Sequence, residues 1–242
     1  MDLRGIHTII TPMNPIMAVG NQPALLPGCM LDIEMVDREK NQLDRSGYYI
    51  DGSGAGTTAG IQDGVIGAVR SFDGVDDYLS LGTTANLGIS TFSIEFWVKP
   101  TSLPAVNAIA GRYISSSNGW YVYTDTTGKV NFVWYYGSSG VFNNSGSVLL
   151  TTTAWAHVVI TFTSTTSTVW AIYVNGVLAN SGTSANVIVT SAVRNMYIGA
   201  LQGTADFFSG LIGLFRMYNR VLTAEDILSL YRTSAGRYGL NR

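Results

Sequence analysis

Three groups of residues in this sequence have the types and spacing to do chemistry. The first is an acidic cluster, Asp73, Asp76 and Asp77. Carboxylates so close together offer oxygens to calcium, which collects about six to eight of them. They equally cap a turn by accepting backbone N–H bonds, and that is the preferred reading. The second is residues 112–146, where Tyr113, Trp120, Tyr121, Tyr123, Trp134, Tyr135 and Tyr136 stand among Asn118, Asn131, Asn143 and Asn144. Rings stack on sugar faces and planar amides bond sugar hydroxyls. Trp120, Tyr121, Tyr123, Trp134, Tyr136 and Asn143 are therefore the candidate glycan contacts. Alternate residues of a strand must also fill a core, a role that suits Trp120 and Trp134 as well. The third group is the few residues able to move a proton: His7, His157 and four glutamates, Glu34, Glu39, Glu95 and Glu225. His157, two residues after Trp155, reads as a hydrogen-bonded histidine on a sheet face, and His7 has no carboxylate or nucleophile near it in sequence.

Composition narrows the field. The 242 residues carry 14 basic and 16 acidic side chains, for a net charge of −2. The lysines are only Lys40, Lys99 and Lys129, so no basic patch exists to hold a phosphate backbone, and nucleic acid is excluded as a partner. Cys29 is the single cysteine and there are two histidines, which removes an internal disulfide, a cysteine zinc site and a multi-histidine metal centre. No run of 18 apolar residues crosses a membrane. The start, Met1-Asp2-Leu3-Arg4-Gly5-Ile6-His7, lacks the pattern of a secretion signal. With 46% hydrophobic residues there is ample material for one large core.

The elements that must position these residues are mostly strands. Residues 29–36 and 91–98 alternate apolar and polar side chains, and 129–136, 155–163, 168–174, 195–200 and 207–218 read as further short strands. Phe92, Ile94, Phe96 and Val98 form one face of their strand, opposite Ser93, Glu95 and Trp97. Asn175-Gly176 is a two-residue hairpin turn. The glycine-rich stretch 51–60 reads as a surface loop. One helix is expected at about 224–232, with Thr223 as N-cap, Glu225 and Asp226 in the first turn, and an apolar stripe of Ile227, Leu230 and Tyr231. The fold class is therefore all-β, an antiparallel sandwich or barrel with one late helix. Residues 1–28 differ from the rest. They hold four of the six prolines, are apolar without a regular period, and read as an extended arm on this domain or on another subunit.

Six segments, in order, resemble the laminin-G-like, concanavalin-A-like jelly rolls. They are Ser71-Phe72-Asp73-Gly74-Val75-Asp76-Asp77-Tyr78-Leu79, Phe92-Ser93-Ile94-Glu95-Phe96-Trp97-Val98-Lys99-Pro100, Trp155-Ala156-His157-Val158-Val159-Ile160-Thr161-Phe162, Ile172-Tyr173-Val174-Asn175-Gly176-Val177, Tyr197-Ile198-Gly199-Ala200, and the stretch from Phe208 to Ile227. The resemblance covers 29–232. It implies a two-sheet β-sandwich between an arm at 1–28 and a C-terminal tail at 233–242, with Trp97, Trp155, Phe162, Tyr173 and Tyr197 filling the space between the sheets. It also implies carbohydrate binding as the commonest ligand chemistry, and a structural calcium near Asp73, Asp76 and Asp77. Gly213 and Leu214 stand where the family usually has Asp and Glu, which argues against the calcium. No other cofactor is implied.

Related glucanases use glutamates paired at strand spacing, whereas Glu95 is alone on its strand, so no enzyme is expected and a glycosidase is the remote alternative. The leading expectation is a structural or adhesive component of a phage virion: a capsid decoration protein, head fibre or tail appendage. It would attach to the major capsid protein, another virion protein or itself through Ile9, Ile10, Pro12, Met13, Pro15, Ile16 and Met17, with host surface glycans as further partners. The alternative is an extracellular bacterial carbohydrate-binding module.

Overall fold

The computed structural model describes residues 25–35, 44–48, 50, 52–56, 60–63, 67–83, 87–114, 118–188 and 194–240. The arm residues from Ile9 to Met17, and His7, lie outside them. Two antiparallel sheets form a sandwich. The first runs in the order β13 (Val177–Ser184), β12 (Thr168–Val174), β11 (Ala156–Ser164), β6 (Thr91–Pro100), β15 (Ser209–Tyr218), β4 (Gly67–Asp73) and β3 (Gly60–Asp63). One edge of β15 is shared. Its first half pairs with β4 and its second half with β1 (Cys29–Glu34). The second sheet runs β10 (Ser139–Leu149), β9 (Lys129–Tyr136), β8 (Asn118–Thr124), β7 (Asn107–Ile114), β14 (Asn195–Ile198), β5 (Tyr78–Thr83) and β2 (Ser53–Ala55).

The core between the sheets takes one face of each strand. Phe92, Ile94, Phe96 and Val98 meet Trp120, Val122, Phe132 and Trp134 across it, joined by Phe162, Ile172 and Phe215. The hairpin at Asn175-Gly176 is present, with φ of 52° and 79°, which both residue types accept readily. The glycine-rich stretch differs from expectation: Ser53–Ala55 is a strand, because β5 supplies the partner that its own propensity does not.

The outer face of the first sheet is roofed by α1 (Ala224–Ser234) and a 3-10 turn (Ala235–Tyr238). Thr223 accepts from the Asp226 N–H and Asp226 accepts from the Thr223 N–H, a reciprocal cap that fixes where the helix starts. Residues after 232 do not trail away. Ser234, Ala235 and Tyr238 are buried, and Tyr238 stacks on Trp97 with ring centroids 4.1 Å apart. This roof corrects the expected core. Of the five residues expected between the sheets, only Phe162 is there. Trp97 and Trp155 pack under the 3-10 turn, Tyr173 packs near α1, and Tyr197 lies on the outer face of the second sheet. Sequence alternation separates the two faces of a strand but does not say that both are covered.

Candidate functional site

Strand register places the functional candidates on three separate surfaces. On the outer face of the first sheet, one row crosses the strands as Asp32, Arg216, Glu95, Val159 and Tyr173. Arg216 thus sits between two carboxylates. Its Nε donates to Asp32 Oδ1 at 2.7 Å and its terminal nitrogen faces Glu95 Oε2 at 3.7 Å. The Tyr218 hydroxyl donates to Glu95 Oε2 at 2.7 Å, and His157 Nε2 lies 3.2 Å from Oε1. Glu95 is therefore not isolated in space, although it is in sequence.

Burial pushes the Glu95 carboxyl up, but Arg216, His157 and Tyr218 outweigh it and hold it below the ordinary carboxylate range. Burial pushes the Tyr218 phenol up, and Glu95 adds to the rise. Burial likewise raises the Cys29 thiol, pushing it up to about 12 with help from Asp32. Glu95 and His157 are 0% exposed beneath α1. A substrate cannot reach them, so the cluster can bind the sheet to itself but cannot perform glycosyl transfer, which needs carboxylates on both sides of an accessible bond.

The acidic cluster forms at the β4–β5 turn, where ligand oxygens of Asp73, Asp76 and Asp77 come within 4.8 Å of one another. Two of their oxygens accept backbone bonds. Asp73 Oδ1 accepts from the Val75 N–H at 2.8 Å, and Asp77 Oδ2 accepts from the Asp73 N–H at 2.9 Å. Asp77, itself buried, also offsets the charge of buried Arg70. Asp73 and Asp77 thereby cap the turn, and the three carboxylates stand at a spacing that also suits a cation. The departures from the family pattern have their own explanation. A Cβ on Gly213 would lie 2.5 Å from the Tyr238 ring, and Leu214 packs with Trp97.

The third surface is the outer face of the second sheet. A row crosses six strands as Ser80, Tyr197, Gly111, Tyr121, Val133 and Phe142. The neighbouring rows add Tyr113, Tyr135 and Gly140 on one side, and Tyr123, Asn131 and Asn144 on the other. Tyr113, Tyr121 and Tyr135 pack ring to ring, 5.0 Å between Tyr113 and Tyr135 and 5.1 Å between Tyr113 and Tyr121, and are only 8–9% exposed. They form a floor. More exposed rings flank it. Tyr78, Tyr197 and Phe207 gather at the β5–β14 end, with Tyr78 5.6 Å from Tyr197 and 6.4 Å from Phe207. At the other end Phe142 is 64% exposed, and Gly140 leaves room for it beside Tyr135. Burial, then the Tyr113 hydroxyl, pushes the Tyr135 phenol up to about 12, and burial followed by Asp125 raises Tyr123. These two phenols stay neutral donors at physiological pH.

Of the glycan candidates, Tyr121 and Tyr123 are on this face. Tyr136 is half-buried at the end of β9. Asn143 opposes core residue Phe132 and donates to its carbonyl at 3.4 Å. Trp120 and Trp134 are corrected. They point into the core, 2% and 0% exposed, and cannot stack on a sugar. Adjacent residues of a strand face opposite ways, so Trp120 and Tyr121 do not share one surface. Sequence reasoning missed Phe142 and the trio Tyr78, Tyr197 and Phe207. The signal for Phe142 was its even spacing from Gly140 and Asn144 on a strand.

A family model described as the concanavalin A-like lectin/glucanases superfamily matches residues 73–228. No curated protein sequence matches the chain. Among solved structures, domain 4 of AbnA, a GH43 extracellular arabinanase from Geobacillus stearothermophilus, in complex with arabinotriose, superposes with a TM-score of 0.68 at 20% identity, covering 84% of this chain and 98% of that one. The receptor-binding domain of botulinum neurotoxin type G gives 0.62 at 18% identity, over 85% of this chain and 51% of that one. The binding domain of botulinum neurotoxin DC in complex with rat synaptotagmin II gives 0.66 at 17% identity, over 85% and 51%. The chain spans about half the length of these toxin domains. At such identities the likeness is one of fold.

Proposed function

The chain belongs to the concanavalin A-like lectin/glucanases superfamily, and from that premise we propose that it is a non-enzymatic adhesive module that binds glycans on the outer face of its second sheet. One observation carries this reading. The ionisable cluster of the first sheet is sealed, whereas the second sheet presents a band of aromatic rings bordered by the amides of Asn144 and Asn195. Rings give sugars apolar faces to lie on, and amides bond their hydroxyls. The fold neighbour that holds arabinotriose lends support. Screening the full chain on a glycan array, with Tyr197→Ala beside it, tests the proposal. Binding that weakens in the variant, without release of reducing ends, is expected. Silence across the array, or hydrolysis, refutes it.

The finer reading is that the module serves in a phage virion, anchored by residues 1–28. It draws on the apolar, proline-rich composition of that segment, with Ile9, Ile10, Pro12, Met13, Pro15, Ile16 and Met17 as the gripping residues. Light scattering of the full chain, alone and with Ile10→Asp and Ile16→Asp, tests whether the segment joins copies. Sedimentation with purified particles tests whether it joins the chain to a capsid. Association that is lost in the variant supports the reading, and association indifferent to these changes contradicts it.

A further inference from the structure

We infer that the aromatic face takes a linear, uncharged glycan laid across the strands, held at two separate aromatic ends. This rests on the glycan-binding reading and specifies its ligand.

The register fixes the distances. From β14, which carries Tyr197, to β10, which carries Phe142, there are four inter-strand steps through β7, β8 and β9. At about 4.8 Å per step the two ends are about 19 Å apart on one face. One step is close to the length of one sugar unit, so a chain touching both ends has several units between them. Those middle units meet the floor of Tyr113, Tyr121 and Tyr135, whose rings pack against one another and leave little of themselves exposed. Gly140 raises no side chain in the path, and the space above Gly111 is taken by Leu201, which packs on the tyrosines and adds an apolar contact to the floor. The strong stacking positions are the more exposed rings: Tyr78, Tyr197 and Phe207 at one end, and Phe142 at the other.

The electrostatics select an uncharged chain. The cross-strand rows of this face, from Ser80 to Phe142 and their neighbours, contain no charged side chain among the described residues. Arg112 opposes Trp120 and therefore faces the core. The nearest charges are peripheral. Asp206 is in the β14–β15 loop, and Asp125 and Lys129 flank the β8–β9 turn, where Asp125 accepts from Thr127 and Asn131. An acidic glycan, sialylated or sulfated, would find no cation along these rows; at one border Lys129 stands beside Asp125, and at the other stands Asp206. Neutral hydroxyls find phenol donors and amide groups.

Two linked contacts predict a length dependence, because engaging the second end becomes intramolecular once the chain can span the gap. The test is calorimetry of the full chain with linear neutral oligosaccharides of arabinose, glucose and xylose, two to eight units long, with polysialic acid as the charged comparison. For the series that binds, a hexamer to octamer is expected to bind at least tenfold more tightly than the trimer. Phe142→Ala and Tyr197→Ala should each lower long-chain affinity at least fivefold and bring the long-to-short ratio towards one. Val177→Thr, on the far sheet and exposed, should leave both unchanged. Thermal melts of each variant separate lost binding from lost fold. Neutral glycan binding with no gain beyond the trimer, or with Phe142→Ala without effect, overturns the two-ended site while leaving glycan binding standing. A preference for polysialic acid overturns the uncharged ligand. Binding of no glycan at all overturns the underlying reading, and the two-ended site with it.

Discussion

Replacing Glu95 by glutamine keeps the shape of the side chain and removes its charge from the sealed cluster. The wild-type carboxylate accepts from Tyr218 at 2.7 Å, lies 3.2 Å from His157 Nε2 and faces Arg216 at 3.7 Å. Hydrogen bonds to charged groups contribute about 1.5–3 kcal/mol each, against about 1 for neutral ones. The amide keeps one acceptor and turns a donor towards the remaining partner. Arg216 retains Asp32, so the loss is smaller than the roughly 3–5 kcal/mol of breaking a buried pair outright. A loss of about 2–4 kcal/mol follows, which lowers the melting temperature of a domain this size by about 5–15 °C. Circular dichroism melts and urea titrations at pH 7 measure it. The Glu95 carboxyl is depressed below its ordinary 4.5, so its contribution is fully present above that pH and fades as pH falls through the folded value. The two melting curves should therefore converge as the medium is acidified below about pH 4.5. Equal stability at pH 7, or a gap that widens on acidification, would refute the reasoning.

Three other outcomes are expected. Trp120→Ala should cost about 3–5 kcal/mol in urea titrations through the cavity it leaves, and glycan affinity of the folded fraction should stay as it was. Gly213→Asp restores the acid usual in the family but drives a side chain into Tyr238. It should lower the melting temperature without making it calcium-dependent, while the parent chain should melt alike in calcium and in chelator. Cys29, buried and with its thiol pushed up to about 12, should resist thiol reagents at pH 8 until the chain is unfolded, as mass spectrometry of labelled protein would reveal.

Much of the fold is legible in the sequence because its signals are local. Period-two alternation gives the strands, Asn175-Gly176 gives the hairpin, and Thr223 with Asp226 gives the helix start. The covering of the first sheet on both faces is not local. Trp97 reads as core whichever way it points, and only the return of Tyr238 in three dimensions decides the direction. The strand at Ser53–Ala55 is invisible for the same reason, since β5 creates it. The candidate site shows the limit most clearly. Residues 112–146 are recognisably aromatic, but Trp120, Phe132 and Trp134 belong to the core, and the register sorts Tyr121 from Trp120. Tyr78, Tyr197 and Phe207 are scattered over 130 residues and meet only when β5 and β14 pair. Glu95, Arg216, Asp32 and His157 are likewise assembled by cross-strand pairing.

The central claim is that binding belongs to the outer face of the second sheet and that the buried ionic cluster is structural. Amide and side-chain NMR shifts of the full chain, followed during titration with a neutral oligosaccharide long enough to span the face, test it most directly. The account predicts shifts concentrated at Tyr78, Tyr123, Phe142, Tyr197 and Phe207, with Glu95 and His157 silent and the sugar intact. Shifts centred on the roofed side of the first sheet, or cleavage of the sugar, would contradict it.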